Sequence, residues 1–180
     1  MVEMSIYGVS FDLVGKQPIV LLKTAEGNRY LPIWIGHSEA AAILMKLQGA
    51  TAPRPLTHDL LVNMLGELDV DVVRVTVTEL RENTFHASIT IAQNGNEVEI
   101  DSRSSDAIAI AVRAQAPIFA ADEVIEESAI EMEGDEVNEE EIVDEFKRFL
   151  DKVSAEDFIE AEVEGDVEDV EAEPDDDEER

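Results

Sequence analysis

Between Leu31 and Leu47 the sequence LPIWIGHSEAAAILMKL changes its hydrophobic period across a single glycine. Leu31, Ile33 and Ile35 recur at every second position, so a strand places them on one face and Tyr30, Pro32 and Trp34 on the other. Beyond Gly36, residues Ala40, Ile43, Leu44 and Leu47 fall at helical spacing. A strand that runs through one glycine straight into a helix fixes a corner of the fold, and the rest of the chain must pack around it. His37, Ser38 and Glu39 stand at the helix start, where unpaired N–H groups and the helix dipole favour a hydroxyl cap and a carboxylate.

On the N-terminal side, Met4 to Leu13 reads as a strand, and Pro18 to Thr24 with Arg29 to Ile35 as a hairpin about Ala25-Glu26-Gly27-Asn28. On the C-terminal side the helix is expected to stop at Gly49, before an extended loop imposed by Pro53 and Pro55. Thr57 is placed as the cap of a second helix with Leu60, Leu61, Met64, Leu65 and Leu68 as its core face, ending near Asp69. A strand from Val70 to Glu79 follows, then Thr84 to Ile91 and Glu97 to Asp101, joined by Gln93-Asn94-Gly95-Asn96, the strongest hairpin signal in the chain. Ser104 or Ser105 is expected to cap a helix over Ala107 to Arg113 that is apolar on nearly every side and therefore buried, before a short strand at Ile118 and Phe119. Hairpins mixed with interspersed helices define an α+β class with a mixed, largely antiparallel sheet.

The net charge of −30 is unevenly spread. Residues 1–120 hold 14 acidic and 9 basic side chains, residues 121–180 hold 29 and 4, so the head carries −5 and the remainder −25. This division predicts a domain over 1–124, an acidic segment over 125–159 and a disordered acidic tail over 160–180. Within the acidic segment, Ile142, Val143, Phe146, Phe149, Leu150 and Val153 mark one face of a helix near 139–153, and Asn138 with Glu141 and Ser154 with Asp157 resemble capping boxes. With no cysteine, disulfides, thiolate zinc sites and cysteine nucleophiles are excluded. No basic leader precedes an apolar stretch, and no apolar run approaches the roughly 20 residues of a membrane span. The expectation is a cytoplasmic protein with no membrane partner.

Three places can carry chemistry, and each is a helix start that bears a carboxylate beside a hydroxyl. They are His37-Ser38-Glu39, Arg54 with Thr57-His58-Asp59, and Asp101 with Arg103-Ser104-Ser105-Asp106. Arginine and free helix N–H groups hold phosphate, carboxylates hold Mg²⁺ or Mn²⁺, and histidine moves protons. Each group also reads as an ordinary capped helix start. Asp101 at a strand end and Asp106 at a helix start are separated by a turn that brings two acids together, as in metal-assisted phosphoryl chemistry. His86, between Phe85 and Ala87 in a strand, reads as a structural residue. Trp34 shares a strand face with Tyr30, which suits base stacking, core packing or a subunit interface. No glycine-rich phosphate loop, HExxH, GxSxG or EF-hand loop occurs.

The segments LPIWIGHSEAAAI, PRPLTHDLL and IDSRSSDAIAIAVRAQAPIF, in this order, resemble the bifunctional nuclease domain family over roughly Val2 to Val124. The stretch FKRFLDKVSAEDF, from Phe146 to Phe158, is similar to the C-terminal end of actinobacterial members. The chain departs from the family at Ser104, where proline usually follows the arginine, and in the length of its acidic tail. The resemblance implies a compact α+β fold, self-association as a homo-oligomer, and hydrolysis of both DNA and RNA. It makes Glu39, Asp101 and Asp106 candidate ligands for Mg²⁺ or Mn²⁺. It makes Arg54, Arg103 and Ser105 candidate phosphate contacts, and His58, Asp59 and Asp106 candidate catalytic groups, with His58 as proton shuttle. Against this, nucleic acid binding normally rests on basic surface, and the head is acidic. The competing expectation is a non-enzymatic oligomeric interaction module whose acidic tail binds a basic protein. A third is a small-ligand sensor that holds an anion at one of the helix starts.

Overall fold

The structure, a computed structural model, describes residues 1–11 and 17–131. The end of the first expected strand, the helix near 139–153 with its two capping boxes, and the acidic tail lie outside the described residues.

Two antiparallel meanders make up most of the sheet, each from neighbouring strands of the chain. One comprises β1 (Val2–Phe11), β2 (Pro18–Thr24) and β3 (Arg29–Trp34). The other comprises β4 (Asp71–Arg81), β5 (Thr84–Gln93) and β6 (Asn96–Arg103). The β5–β6 turn is built as expected, with Asn94 at φ 52° and Gly95 at φ 80°, the pair of positive angles that a tight hairpin of this twist requires. The β4–β5 turn uses the same geometry at Glu82 and Asn83, with φ 50° and 60°.

Between the meanders lie α1 (His37–Leu47) and α2 (Thr57–Glu67); after them come α3 (Ser104–Ala114), β7 (Ile118–Ala120), α4 (Asp122–Ser128) and β8 (Ile130–Glu131). β7 pairs antiparallel with β1 and parallel with β4, so it fuses the two meanders into an eight-stranded mixed sheet of order β6-β5-β4-β7-β1-β2-β3-β8. α4 and β8 carry the fold to Glu131: Val124 and Ile125 are buried, and β8 pairs with β3. Leu22, Leu31, Ile33, Ile43, Ile108 and Ile125 are fully buried. Each such side chain stabilises the fold by about 1.5–3 kcal/mol. α3 is buried from Ser104 to Ala111 except at Asp106, as its all-round apolar sequence requires.

Local expectations fail in four places. Ser38, Thr57, Ser104 and Ser105 do not cap their helices: the N-cap residues are Gly36, Leu56 and Arg103, and none makes a side-chain cap bond. β6 runs on to Arg103 because its pairing with β5 continues through His86, so Asp101 lies within the strand opposite Ser88 and α3 follows with no turn. Leu47, at the end of α1, is exposed. The largest departure is α2, which buries no residue fully and leaves Leu60, Leu61, Met64 and Leu68 exposed. The half-buried positions of α2 are His58, Asp59, Val62 and Leu65, the face turned towards α3. The helix is thus rotated by its polar contacts with α3, described next, rather than by its apolar stripe.

Candidate functional site

The first turns of α1, α2 and α3 contribute Glu39, His58 with Asp59, and Asp106 respectively, and these side chains are tied together through two arginines. Arg103, the residue before α3, donates from Nε to Asp106 Oδ2 at 2.7 Å and from Nη2 to Glu39 Oε1 at 2.8 Å. Asp106 Oδ1 lies 3.0 Å from His58 Nε2, so the chain Glu39–Arg103–Asp106–His58 spans all three helix starts. Gly36 permits the first link: a side chain there would collide with the Glu39 carboxylate, which lies back over the start of its own helix.

Beside this chain runs a second junction. Arg113, in the last turn of α3, donates from Nε to Asp59 Oδ1 at 2.6 Å, from Nη1 to Ala109 O at 2.9 Å and from Nη2 to Ala42 O at 3.1 Å. The remaining oxygen of Asp59 accepts the Leu56 N–H at 3.0 Å, which closes the start of α2. One guanidinium therefore fastens α1, α2 and α3 together.

The charges follow from these contacts. Burial pushes the Asp106 carboxyl up, but the hydrogen bonds from Arg103 and His58 outweigh it and hold Asp106 below the usual carboxylate range. Asp59 is treated alike: burial raises it, and the Arg113 and Leu56 hydrogen bonds bring it below the ordinary value. The hydrogen bond to Asp106 raises Arg103 in turn. Both acids are ionised and paired at neutral pH.

Arg103 also reaches an open cleft of about 820 Å³. Its walls come from distant parts of the sheet: Trp34 and Ile35 at the end of β3, Phe85 in the β4–β5 hairpin, and Arg103, Ser104 and Ser105 at the start of α3. β3 and β5 both contribute to this one cleft although four strands separate them in sheet order.

Of the residues singled out from the sequence, Glu39, His58, Asp59, Arg103, Ser105 and Asp106 are brought together here or at the cleft. Two are not. Asp101 is exposed and its side chain forms no ion pair or hydrogen bond among the described residues, because the lengthened β6 removes the turn expected to aim it at Asp106. Arg54 is likewise exposed and unpaired among the described residues. The carboxylates do not fit a divalent ion as arranged: Glu39 and Asp106 converge on the Arg103 guanidinium, and no three acidic or histidine groups among the described residues could hold a metal. A cation already stands where Mg²⁺ or Mn²⁺ would have to.

Sequence reading missed Arg113 and the cleft. Arg113 is a lone charge in the apolar run AIAIAVRA, and a charged residue on a buried helix demands a partner. That signal was present, although the partner, Asp59, was not readable from it.

A family model described as the bifunctional nuclease domain matches residues 20–133. An uncharacterised protein of Mycobacterium tuberculosis is 41% identical over 163 residues, which cover 87% of this chain and 97% of that protein. A protein named bifunctional nuclease 1 from Oryza sativa subsp. indica is 30% identical over 103 residues, covering 55% of this chain and 31% of that one. Bifunctional nuclease 1 of Arabidopsis thaliana is 29% identical over 105 residues, covering 56% and 32%. The matched segment thus spans about a third of each plant protein. No described helix is long and apolar enough to cross a membrane. With more than half of its length matched, this chain belongs to the bifunctional nuclease domain family.

Proposed function

We propose that the protein hydrolyses phosphodiester bonds of DNA and RNA at the Arg103 end of the cleft. The observation that carries this reading is the unbroken chain Glu39–Arg103–Asp106–His58, in which Asp106 joins a phosphate-binding cation on the cleft lining to the imidazole of His58 behind it. Among the described residues Arg103 donates two bonds, so further guanidinium N–H groups are left for the non-bridging oxygens of a phosphate, whose charge grows in the transition state. With Nε2–H donated to ionised Asp106, the lone pair of His58 resides on Nδ1, where it accepts a proton. Ser105 stands at the cleft as a second phosphate contact. Asp59 acts through Arg113, holding α2 so that His58 meets Asp106.

Dependence on Mg²⁺ or Mn²⁺ is a family-level expectation, and no step above is routed through a metal. The test is hydrolysis of single- and double-stranded DNA and RNA by the purified protein with Mg²⁺, with Mn²⁺ or with chelator, beside Asp106→Asn and His58→Ala. A loss of about 10²-fold or more in Asp106→Asn with the fold retained is expected. Cleavage unchanged by that substitution, or absent under every condition, overturns the reading.

A second reading, an oligomeric interaction module, is favoured by the exposed row Leu60, Leu61, Met64 and Leu68 on α2. In it a second copy covers this face, and the acidic tail binds a basic protein. Sedimentation of wild type against the double variant Leu60→Glu, Met64→Glu tests the first part: an unchanged mass for a self-associating wild type removes the face from consideration. Self-association and hydrolysis are compatible, so only the nuclease assay decides between module and enzyme. Residence in the cytoplasm is part of both proposals.

A further inference from the structure

We propose that the cleft is a subsite for one unpaired nucleotide of a single-stranded nucleic acid, its base stacked on Trp34 and its phosphate seated at the start of α3 against Ser104, Ser105 and Arg103. The inference rests on the nuclease reading for its ligand class and adds what that reading lacks: the form of the substrate and the residue that selects it.

Three independent observations carry it. The first is electrostatic. Residues 1–120 carry a net charge of −5, yet among the described residues the cleft is lined by no aspartate or glutamate, and its one ionisable lining side chain is Arg103, which Glu39 and Asp106 hold from behind. A lining that offers hydroxyl and guanidinium donors and no carboxylate is suited to an anion, which shares Arg103 with Glu39 and Asp106.

The second is the start of α3. No side chain caps this helix, so the free N–H groups of its first turn have no side-chain acceptor. Ser104 and Ser105 are each only 6% exposed, both line the cleft, and neither hydroxyl has a hydrogen-bond partner among the described residues. Buried hydroxyls are normally satisfied, and one on this same lining, Ser128 Oγ, is buried with no partner among the described residues. The Ser104 and Ser105 side chains, with no hydrogen-bond partner among the described residues and beside a helix start with no side-chain cap, offer donors to a phosphate.

The third is Trp34. Its neighbours Leu31 and Ile33 are wholly buried, yet Trp34 remains 51% exposed at the cleft, whose lining also holds Ile35 and Phe85. A half-exposed indole and an uncapped helix start lining one cleft supply apolar surface for a base and donors for its phosphate. A cavity of 820 Å³ falls among small-ligand sites, about 300–1,000 Å³. A side-chain ring can stack only on a base released from its own stack, whereas a duplex offers base edges and outer phosphates. The cleft therefore selects single strands.

Trp34 is the sole tryptophan, so its emission reports on this position alone. Full-length protein is titrated at low salt with oligothymidylate, a duplex of equal length, thymidine monophosphate and inorganic phosphate, and hydrolysis is followed in the same samples. Saturable quenching by oligothymidylate, with binding to the duplex weaker by roughly tenfold or more, is expected. In anisotropy with a labelled oligonucleotide, Trp34→Ala should weaken single-strand binding roughly 10- to 100-fold, with Trp34→Phe recovering most of it. Ser104→Asp should weaken it through repulsion of the phosphate, and circular dichroism checks the fold of each variant. Quenching by thymidine monophosphate as strong as by the oligonucleotide overturns the strand assignment and identifies a free-nucleotide site. No quenching, or equal binding of Trp34→Ala and wild type, overturns the subsite; if hydrolysis persists in that case, the nuclease reading survives without it. Quenching with no hydrolysis under any metal condition sustains the subsite and removes the nuclease reading.

Discussion

Arg103 and Arg113 sit at opposite ends of one helix and do chemically similar things in opposite surroundings. Each guanidinium joins a carboxylate at one helix start to a second element, Arg103 linking Asp106 to Glu39 and Arg113 linking Asp59 to the carbonyl of Ala42. The Arg113 side chain is 4% exposed, that of Arg103 67%. A buried guanidinium with three satisfied contacts is rigid and costly to disturb, since removing it strands a charge. An exposed one is held loosely, pays little to exchange partners and is free to meet a ligand. Burial thus separates a joint that secures the helices from one that is available to a substrate.

The contrast breaks if the two arginines respond alike to truncation. Arg113→Ala should cost about 3–5 kcal/mol, measured as a shifted urea midpoint, because Asp59 loses its partner and α1 its tie to α3. Arg103→Ala should lower phosphodiester hydrolysis about 10²-fold while costing under about 1 kcal/mol of stability, which rate and urea measurements on one preparation separate. If instead Arg103→Ala unfolds the protein, its exposure has been misjudged as a sign of function.

A third test uses acid. Asp59 is held below its ordinary value of 3.8, so its pairing stabilises the fold above that pH and is lost as the pH falls through the lower native value. The stability gap between wild type and Asp59→Asn should be fully open at neutral pH and close progressively below roughly pH 5. A gap independent of pH would show that the amide, not the lost charge, is responsible. The smallest effect is expected at Gly36→Ala, which displaces the Glu39 carboxylate: hydrolysis should fall a few-fold, since Arg103 keeps Asp106, with the urea midpoint changed by about 1 kcal/mol or less.

What was legible in the sequence was local. The switch of period at Gly36 and the Asn94-Gly95 turn are dictated by backbone sterics and burial within a few residues, and both stand where they were expected. The class of fold, α+β with a largely antiparallel sheet, followed from such signals in series. The orientation of α2 was not legible, because an apolar stripe says which face prefers cover and not which face obtains it. There, Asp59 meeting Arg113 and His58 meeting Asp106 turn the polar face inward, and those partners lie 54 and 48 residues away. The helix starts were read as caps for a related reason: a carboxylate in a first turn looks the same whether it serves its own helix or an arginine elsewhere. Asp101 was displaced by a longer strand, whose extent is set by its partner β5.

β7 has one consequence for how the chain reaches this state. Each meander is sequential and can zip up from its own turns, but the seam between them consists of Ile118–Ala120, three residues paired on both sides. The N-terminal meander is therefore made long before the strand that joins it to its counterpart leaves the ribosome. Until then the edges of β1 and β4 present unpaired backbone groups, the condition in which nascent sheets find wrong partners. A late three-residue zipper makes assembly of the whole sheet slow relative to its halves, since loop closure over more than a hundred residues precedes the pairing of β1 with β7.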